Sequence, residues 1–225
     1  MNPEIFESIK ALIGPGEGRE LLDLSCGDGS SSRAYLNMGF KVIATNYDCQ
    51  GFPHPDIPCY SVDLNQELPF EDGRFDCVIL QEVIEHLQNP VLVIKEVHRV
   101  LKKRRIFIFS TPNMLNLSSR FHLLLSGFYF GRKKPLKVET RAEVGPNWHV
   151  LSFHVYWWLL KGYGFEVEKV KGARLRKRNV VLMSILYPFL LGYSYLCCVW
   201  REKGRQRENN AAVIRKINSV DLLCS

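Results

Sequence analysis

A chain of 225 residues, 46% hydrophobic and 24% charged, suits one domain with a substantial core, or one domain with an appendage, and excludes both two full domains and a disordered polymer. The net charge of +7 is unevenly spread: residues 1–100 hold 16 of the 23 acidic and 7 of the 30 basic side chains, so the second part is strongly basic. Such a split suits a basic face toward nucleic acid, anionic lipid or a phosphorylated substrate, and equally a solvated surface.

The seven cysteines, Cys26, Cys49, Cys59, Cys77, Cys197, Cys198 and Cys224, form no CxxC pair and no Cys/His ligand series. This predicts reduced thiols without a disulfide framework or a metal site. The first twenty residues have no basic segment followed by an apolar stretch, so no secretory signal is expected and the reading is cytoplasmic, with peripheral contact with an anionic membrane left open.

Short apolar runs, turn residues and stretches of helical period alternate over the first 170 residues, the pattern of βα units and hence of a parallel sheet. Strands are predicted at 20–25, 41–46, 59–62, 75–80, 106–110 and 165–171, and helices at 3–13, 30–38, 90–101 and 152–162. In the third helix Pro90 stands in the first turn, Leu92, Val93, Glu96, Val97 and Val100 form the inward face, and Lys95, Arg99 and Lys102 point outward. The pattern loosens over 112–150, where an aromatic stretch at 121–130 is flanked by Arg120, Arg132, Lys133 and Lys134. This is read as an insertion or lid at the carboxyl end of a strand, over the ligand crevice. Residues 179–200 carry no charge, but Pro188 and Gly192 and basic clusters on both sides favour a buried helix ending near Leu191 and a strand at 193–200 over a membrane span. The domain is placed at 1–203 and a polar tail at 204–225.

The densest chemistry lies in Leu21-Leu22-Asp23-Leu24-Ser25-Cys26-Gly27-Asp28-Gly29-Ser30, a strand breaking into a small-residue turn before a helix. Gly27 and Gly29 let backbone approach a ligand, and Asp23 is placed to order the loop or to take a cationic amine. A lone GxG is weak evidence, and an ordinary strand-to-helix turn is as good a reading of this piece alone.

With the segments that follow, the sequence resembles the class I S-adenosylmethionine-dependent methyltransferases, through most of its length. The matching pieces are the glycine turn, Lys41 to Asp48, Asp63-Leu64, Arg74 to Ile79, Gln81 to Leu87, Glu96 to Leu101 and Ser110 to Asn113. The resemblance implies a Rossmann-like, doubly wound sheet in a three-layer α/β/α arrangement, mostly parallel with an antiparallel final strand. It implies that Asp23, Ser25, Cys26, Gly27 and Gly29 hold the methionine end of S-adenosylmethionine, with Ser25 where glycine is usual. Asn46 stands where a carboxylate usually binds the ribose, beside Tyr47 and with Asp48 as a substitute; Asp63 accepts from the adenine amino group, Leu64 flanks the ring, and Gln81 closes the set.

The reaction implied is methyl transfer to an oxygen or nitrogen of a small-molecule or glycan-like acceptor. His86 and His149 are the candidate bases, because imidazole titrates near neutrality; packing or capping roles are open for both. No metal is implied. A nicotinamide dehydrogenase would want a third glycine, where Ser32 stands. A nucleic-acid acceptor is disfavoured, since no Asn-Pro-Pro-aromatic sequence follows the fourth strand. The alternative is a catalytically degraded, membrane-associated or partner-binding protein that keeps the fold, suggested by Ser25, Asn46 and the basic second half.

Overall fold

Short runs that are apolar at successive positions need cover on both faces, and β1 (Glu20–Leu24), β2 (Lys41–Asn46) and β4 (Phe75–Gln81) each contain such a run, at Leu21-Leu22, Val42-Ile43-Ala44 and Cys77-Val78-Ile79-Leu80. In the computed structural model, which describes residues 3–113, 115–127, 151–172 and 195–202, they form the middle of a seven-stranded sheet in the order β3-β2-β1-β4-β5-β7-β6. The remaining strands are β3 (Cys59–Ser61), β5 (Leu101–Pro112), β6 (Phe165–Gly172) and β7 (Tyr195–Glu202). Strands β1 to β5 pair in parallel, while β7 runs antiparallel to both β5 and β6. The fold is the expected Rossmann-like one.

Side-chain alternation along the strands divides the apolar residues between two layers. Leu22, Leu24, Val78, Leu80, Phe107 and Phe109 enter a core shared with α3 (Pro90–Val100) and α5 (Phe153–Gly162). Leu21, Cys77, Ile79 and Ile108 face the opposite side, onto α1 (Pro3–Ile13) and α2 (Ser30–Asn37). A two-residue period thus builds a three-layer sandwich. On the larger side the Phe107 and Phe109 rings stack at 5.5 Å, Phe109 meets Tyr156 at 5.2 Å and Phe107 meets Phe165 at 5.9 Å, so β5, β6 and α5 share one aromatic seam.

The differences from the sequence reading have physical causes. Strand β5 begins at Leu101, five residues before Ile106, because Lys102 and Arg105 are recruited by Asp76: Lys102 Nζ lies 2.9 Å and Arg105 Nε 3.1 Å from its carboxylate, which also accepts from Glu20 N at 3.1 Å. Between Phe75 and Cys77 the register shifts, and Arg104 takes a φ of 61° where the extra residues bulge out. The segment after β5, expected to be irregular, contains α4 (Leu117–Ser126), begun by Asn116 accepting from Ser119 N at 3.2 Å and stopped by Gly127 at φ 74°. The rest of the expected lid, 128–150, lies outside the described residues, as do the helix expected before Leu191 and the tail. The strand expected at 193–200 is β7. Among the described residues no helix is long and apolar enough to cross a membrane.

One expectation is overturned. Cys49 and Cys59 form a disulfide, so the reading of all cysteines as reduced thiols fails. The parallel pairing of β2 with β3 brings the loop's two ends together, with Ala44 opposite Cys59 and Cys49 N donating to Ser61 Oγ at 3.1 Å. That proximity depends on tertiary register and left no spacing motif to find.

Arg99 also departs from its expected outward position. Its guanidinium donates to the carbonyls of Leu68 at 2.8 Å and Phe70 at 2.7 Å, to Asp72 Oδ1 at 2.7 Å, and to Glu96 Oε2 at 2.6 Å. Glu96 is buried and also accepts from Leu68 N at 2.9 Å, so α3 is bolted to the loop before β4. The hydrogen bonds from Arg99 hold the Glu96 carboxyl below its ordinary range. Removing one member of a buried ion pair costs about 3–5 kcal/mol, and less where, as for Arg99, water still reaches one partner. Glu96→Gln is therefore expected to lower the unfolding free energy by about 2 kcal/mol, read as a reduced urea midpoint at unchanged slope; an unchanged midpoint would contradict this account.

Candidate functional site

The site follows from the sheet order. Strand β1 pairs with β2 on one side and β4 on the other, so the chain leaves the centre of the sheet in two directions, and the crevice outside the carboxyl ends of β1 and β4 is where such sheets bind ligands. The turn after β1 lines it. Ser25, Gly27 and Gly29 have φ of 63°, 59° and 76°, a left-handed path that glycine takes freely and serine only at a cost of roughly 1 kcal/mol. The turn is held by Ser25 N donating to Thr45 Oγ1 at 3.1 Å, Cys26 N to the Thr45 carbonyl at 2.8 Å, and Gly29 N to the Cys26 carbonyl at 3.0 Å.

A Cβ on Gly27 would meet nothing within 4 Å, so this backbone borders open space. A Cβ on Gly29 would come within 2.6 Å of both Phe52 and His54, so there the glycine admits a covering loop. Beneath the turn, Asp23 is buried and accepts from Ser32 Oγ at 2.6 Å, joining the end of β1 to the first turn of α2. Burial pushes its carboxyl up to about 6, with the Ser32 hydrogen bond opposing. Of the two roles read from sequence, ordering the loop is the one with a partner on the chain.

At the end of β2, Asn46 Nδ2 donates to the Gly27 carbonyl at 3.2 Å, and Asn46 Oδ1 accepts from Tyr47 N at 3.0 Å. The amide in the expected ribose position thus braces the glycine turn. Tyr47 is exposed, and Asp48 is turned back on Gln50 N at 2.7 Å. After β3, Asp63 is exposed and accepts from Asn65 N at 2.9 Å and Nδ2 at 3.1 Å, while Leu64 is buried in the larger core. Asn65 in turn accepts from Gln88 N at 2.9 Å, tying this corner to the segment after β4. Gln81 closes β4. The structure therefore gathers Asp23, Ser25, Cys26, Gly27, Gly29, Asn46, Tyr47, Asp63, Leu64 and Gln81 at or beside the carboxyl ends of β1 to β4. An open glycine turn flanked by acceptors suits the elongated, amine-bearing nucleotide expected there.

Beyond the end of β4, His86 is half-buried in a 3-10 turn spanning Ile84–His86, which is anchored by Glu82 N donating to Ser110 Oγ at 3.1 Å. His149 lies outside the described residues. Sequence reasoning passed over the neighbour of His86. Glu85 is 2% exposed, near Thr111 and Tyr156, and its Oε2 has no hydrogen-bond partner among the described residues. Burial, reinforced by the charge of Glu82, pushes its carboxyl up to about 7. The only signal in the sequence was an acid between apolar Ile84 and Leu87, a pattern shared by many exposed acids.

This burial fixes the sign of a pH effect. The unfolded chain releases the Glu85 proton near the ordinary value of 4.5, whereas the folded chain keeps it to about 7, so between these limits the folded state binds more protons and stability falls as pH rises. Asp23 adds the same sign between 3.8 and about 6. Denaturant unfolding at pH 5, 6 and 7 is expected to show a decline of up to about 1.4 kcal/mol per pH unit for each group still protonated only in the folded state. Glu85→Gln should flatten it; an equal slope in the variant would mean that Glu85 titrates as in water.

Comparison with known proteins agrees with this geometry. Residues 22–109, from β1 through most of β5, match the family model for a methyltransferase domain. The chain is 31% identical over 160 residues to a probable S-adenosylmethionine-dependent methyltransferase of Mycolicibacterium smegmatis, covering 69% of this chain and 55% of that protein. It is 30% identical over 107 residues to a ubiquinone biosynthesis O-methyltransferase of Cereibacter sphaeroides, covering 44% and 43%. The chain thus spans about half the length of the curated relatives it matches. The crystal structure of an S-adenosylmethionine-dependent methyltransferase from Mesorhizobium loti superposes with a TM-score of 0.62 at 15% identity, covering 89% of this chain and 99% of that one, which is a likeness of fold. Residues 22–109, at the centre of the sheet, thus match a methyltransferase domain, in keeping with the resemblance read from the sequence.

Proposed function

We propose that this chain binds S-adenosylmethionine and transfers its methyl group to an oxygen or nitrogen of a small-molecule or glycan-like acceptor. The observation that carries the reading is the open left-handed turn at Gly27, set where β1 pairs with β2 on one side and β4 on the other. Gly27 and Gly29 would let backbone lie against the amino-acid end of the cofactor. Asp63 would accept from the adenine amino group, Leu64 would support the ring, and Asn46, with one amide oxygen lone pair left over, would meet the ribose beside Tyr47. When bound, the cofactor supplies a methyl group already activated by a sulfonium. The chain then needs to orient the acceptor, exclude water and, for a hydroxyl acceptor, take a proton. His86, in the turn that follows β4, would take that proton, with Glu85 as a buried carboxyl next to it in the chain. His149 keeps its candidacy from sequence alone.

The oxygen acceptor draws support from the relative named for ubiquinone O-methylation, and the small-molecule class from the aromatic, apolar composition of 121–130. The basic second half favours an anionic acceptor or contact with an anionic membrane. The opposing reading, a retained fold without catalysis, rests on Asn46, whose amide is engaged with the Gly27 carbonyl and Tyr47 N. Calorimetry decides between them. S-adenosylhomocysteine is expected to bind with a micromolar dissociation constant, and Asp63→Ala to weaken it about tenfold, the loss of roughly 1.4 kcal/mol typical of one hydrogen bond. Absence of binding would support the degraded site, and an unchanged constant in Asp63→Ala would remove the adenine assignment.

A further inference from the structure

The Cys49–Cys59 disulfide closes a loop that lies against the glycine turn, and nothing in the methyl-transfer reading calls for it. The loop begins directly after Asn46-Tyr47-Asp48, the ribose segment, and ends at the first residue of β3. At its middle Phe52 and His54 form an edge-to-face pair at 5.5 Å and fill the space that a Cβ on Gly29 would occupy. His54 Nδ1 also lies 3.4 Å from Arg33, on the first turns of α2, and Arg33 forms an ion pair with Asp56.

The loop is anchored unequally. Its second part is held without the disulfide: Ile57 is buried in the core under α1 and α2, and Ala44 N donates to the Pro58 carbonyl at 2.9 Å. The first part, 49–54, has the Cys49 N bond to Ser61 Oγ, the Phe52 N bond to the Cys49 carbonyl and the ring contacts, all near the surface, and is joined to the second part by Ile57 N donating to the His54 carbonyl at 3.0 Å. Breaking the sulfur bridge therefore leaves 55–59 in place and releases the part that carries Phe52 against Gly29. Both sulfurs belong to half-buried residues flanked by exposed Asp48, Gln50 and Pro58, within reach of an external thiol. Cys26 and Cys77 are free and buried, and burial pushes both thiols up to about 12, so these two stay unreactive.

We propose that the Cys49–Cys59 disulfide is a redox latch on the cofactor crevice: closed, it presses Phe52 and His54 onto the glycine turn, and its reduction by a small dithiol loosens that cover and weakens cofactor binding. The proposal rests on the cofactor reading above. In the reduction, a thiolate of the dithiol attacks one sulfur, the Cys49–Cys59 bond breaks, and a mixed disulfide forms. The dithiol's second sulfur then displaces the cysteine, so two electrons and two protons pass to the chain, leaving two thiols and an oxidised cyclic disulfide.

The test uses the full chain purified without reductant, its pairing confirmed by peptide mapping of alkylated cysteines. Calorimetry with S-adenosylhomocysteine is run before and after dithiothreitol, on wild type and on the Cys49→Ser/Cys59→Ser variant, with amide hydrogen exchange followed over 50–54. Reduction is expected to weaken binding at least fivefold and to speed exchange there at least tenfold, while the variant matches reduced wild type and ignores the reductant. Constants within twofold in both states overturn the latch alone, as does mapping that finds the two cysteines unpaired or a variant that still responds to reductant. Absence of binding in either state overturns the cofactor reading and the latch with it. Reduced wild type reports on the same question should the variant fail to fold.

Discussion

The hydrogen bond from Ser32 Oγ to Asp23 Oδ2 spans the place where the chain must turn from the centre of the sheet into a helix. Five residues separate β1 from α2, and three of them take left-handed backbone. Such a path is not self-sustaining, because no regular ladder satisfies its amides. It is set from three directions: by Asp23 and Ser32 below, by Thr45 at the side, and by Asn46 reaching across to the Gly27 carbonyl. The wall of the crevice is therefore an assembly of β1, β2 and α2. Gly27 is left bare because its neighbours do the holding.

The opposite wall is stiffened by apolar contact. Phe107 and Phe109 of β5, Tyr156 of α5 and Phe165 of β6 form a continuous seam, and His98 of α3 meets Phe165 edge to face at 5.4 Å. Thr111 emerges just past that seam, with Glu85 above it. A buried carboxyl and hydroxyl set on a rigid aromatic base cannot easily reach water by side-chain motion. That explains why burial dominates the titration of Glu85.

Much of this was legible in the residues. Strands β1, β2 and β4 were plain because both faces are buried, and α3 because Pro90 stands in its first turn and its apolar residues recur at helical spacing. The glycine turn and Asp63 stood out as a series in the right order. What escaped was decided by partners distant in sequence. The charged opening of β5 reads as a loop until Asp76 gathers Lys102 and Arg105. Arg99 reads as a solvated face until the carbonyls of Leu68 and Phe70 are brought beneath it. Cys49 and Cys59 become neighbours only through the pairing of β2 with β3. The helix α4 was missed although Asn116 and Gly127 bracket it, because an aromatic, basic flank obscured its period.

The amide of Asn46 has one more consequence. A carboxylate at the end of a second strand does more than hold a sugar: its charge repels any nucleotide phosphorylated on that ribose. An uncharged amide raises no such barrier. Under the ribose role proposed for Asn46, this rim would tell one nucleotide from another by outline and by the reach of its neutral groups, and selectivity would pass from Coulomb repulsion to steric fit.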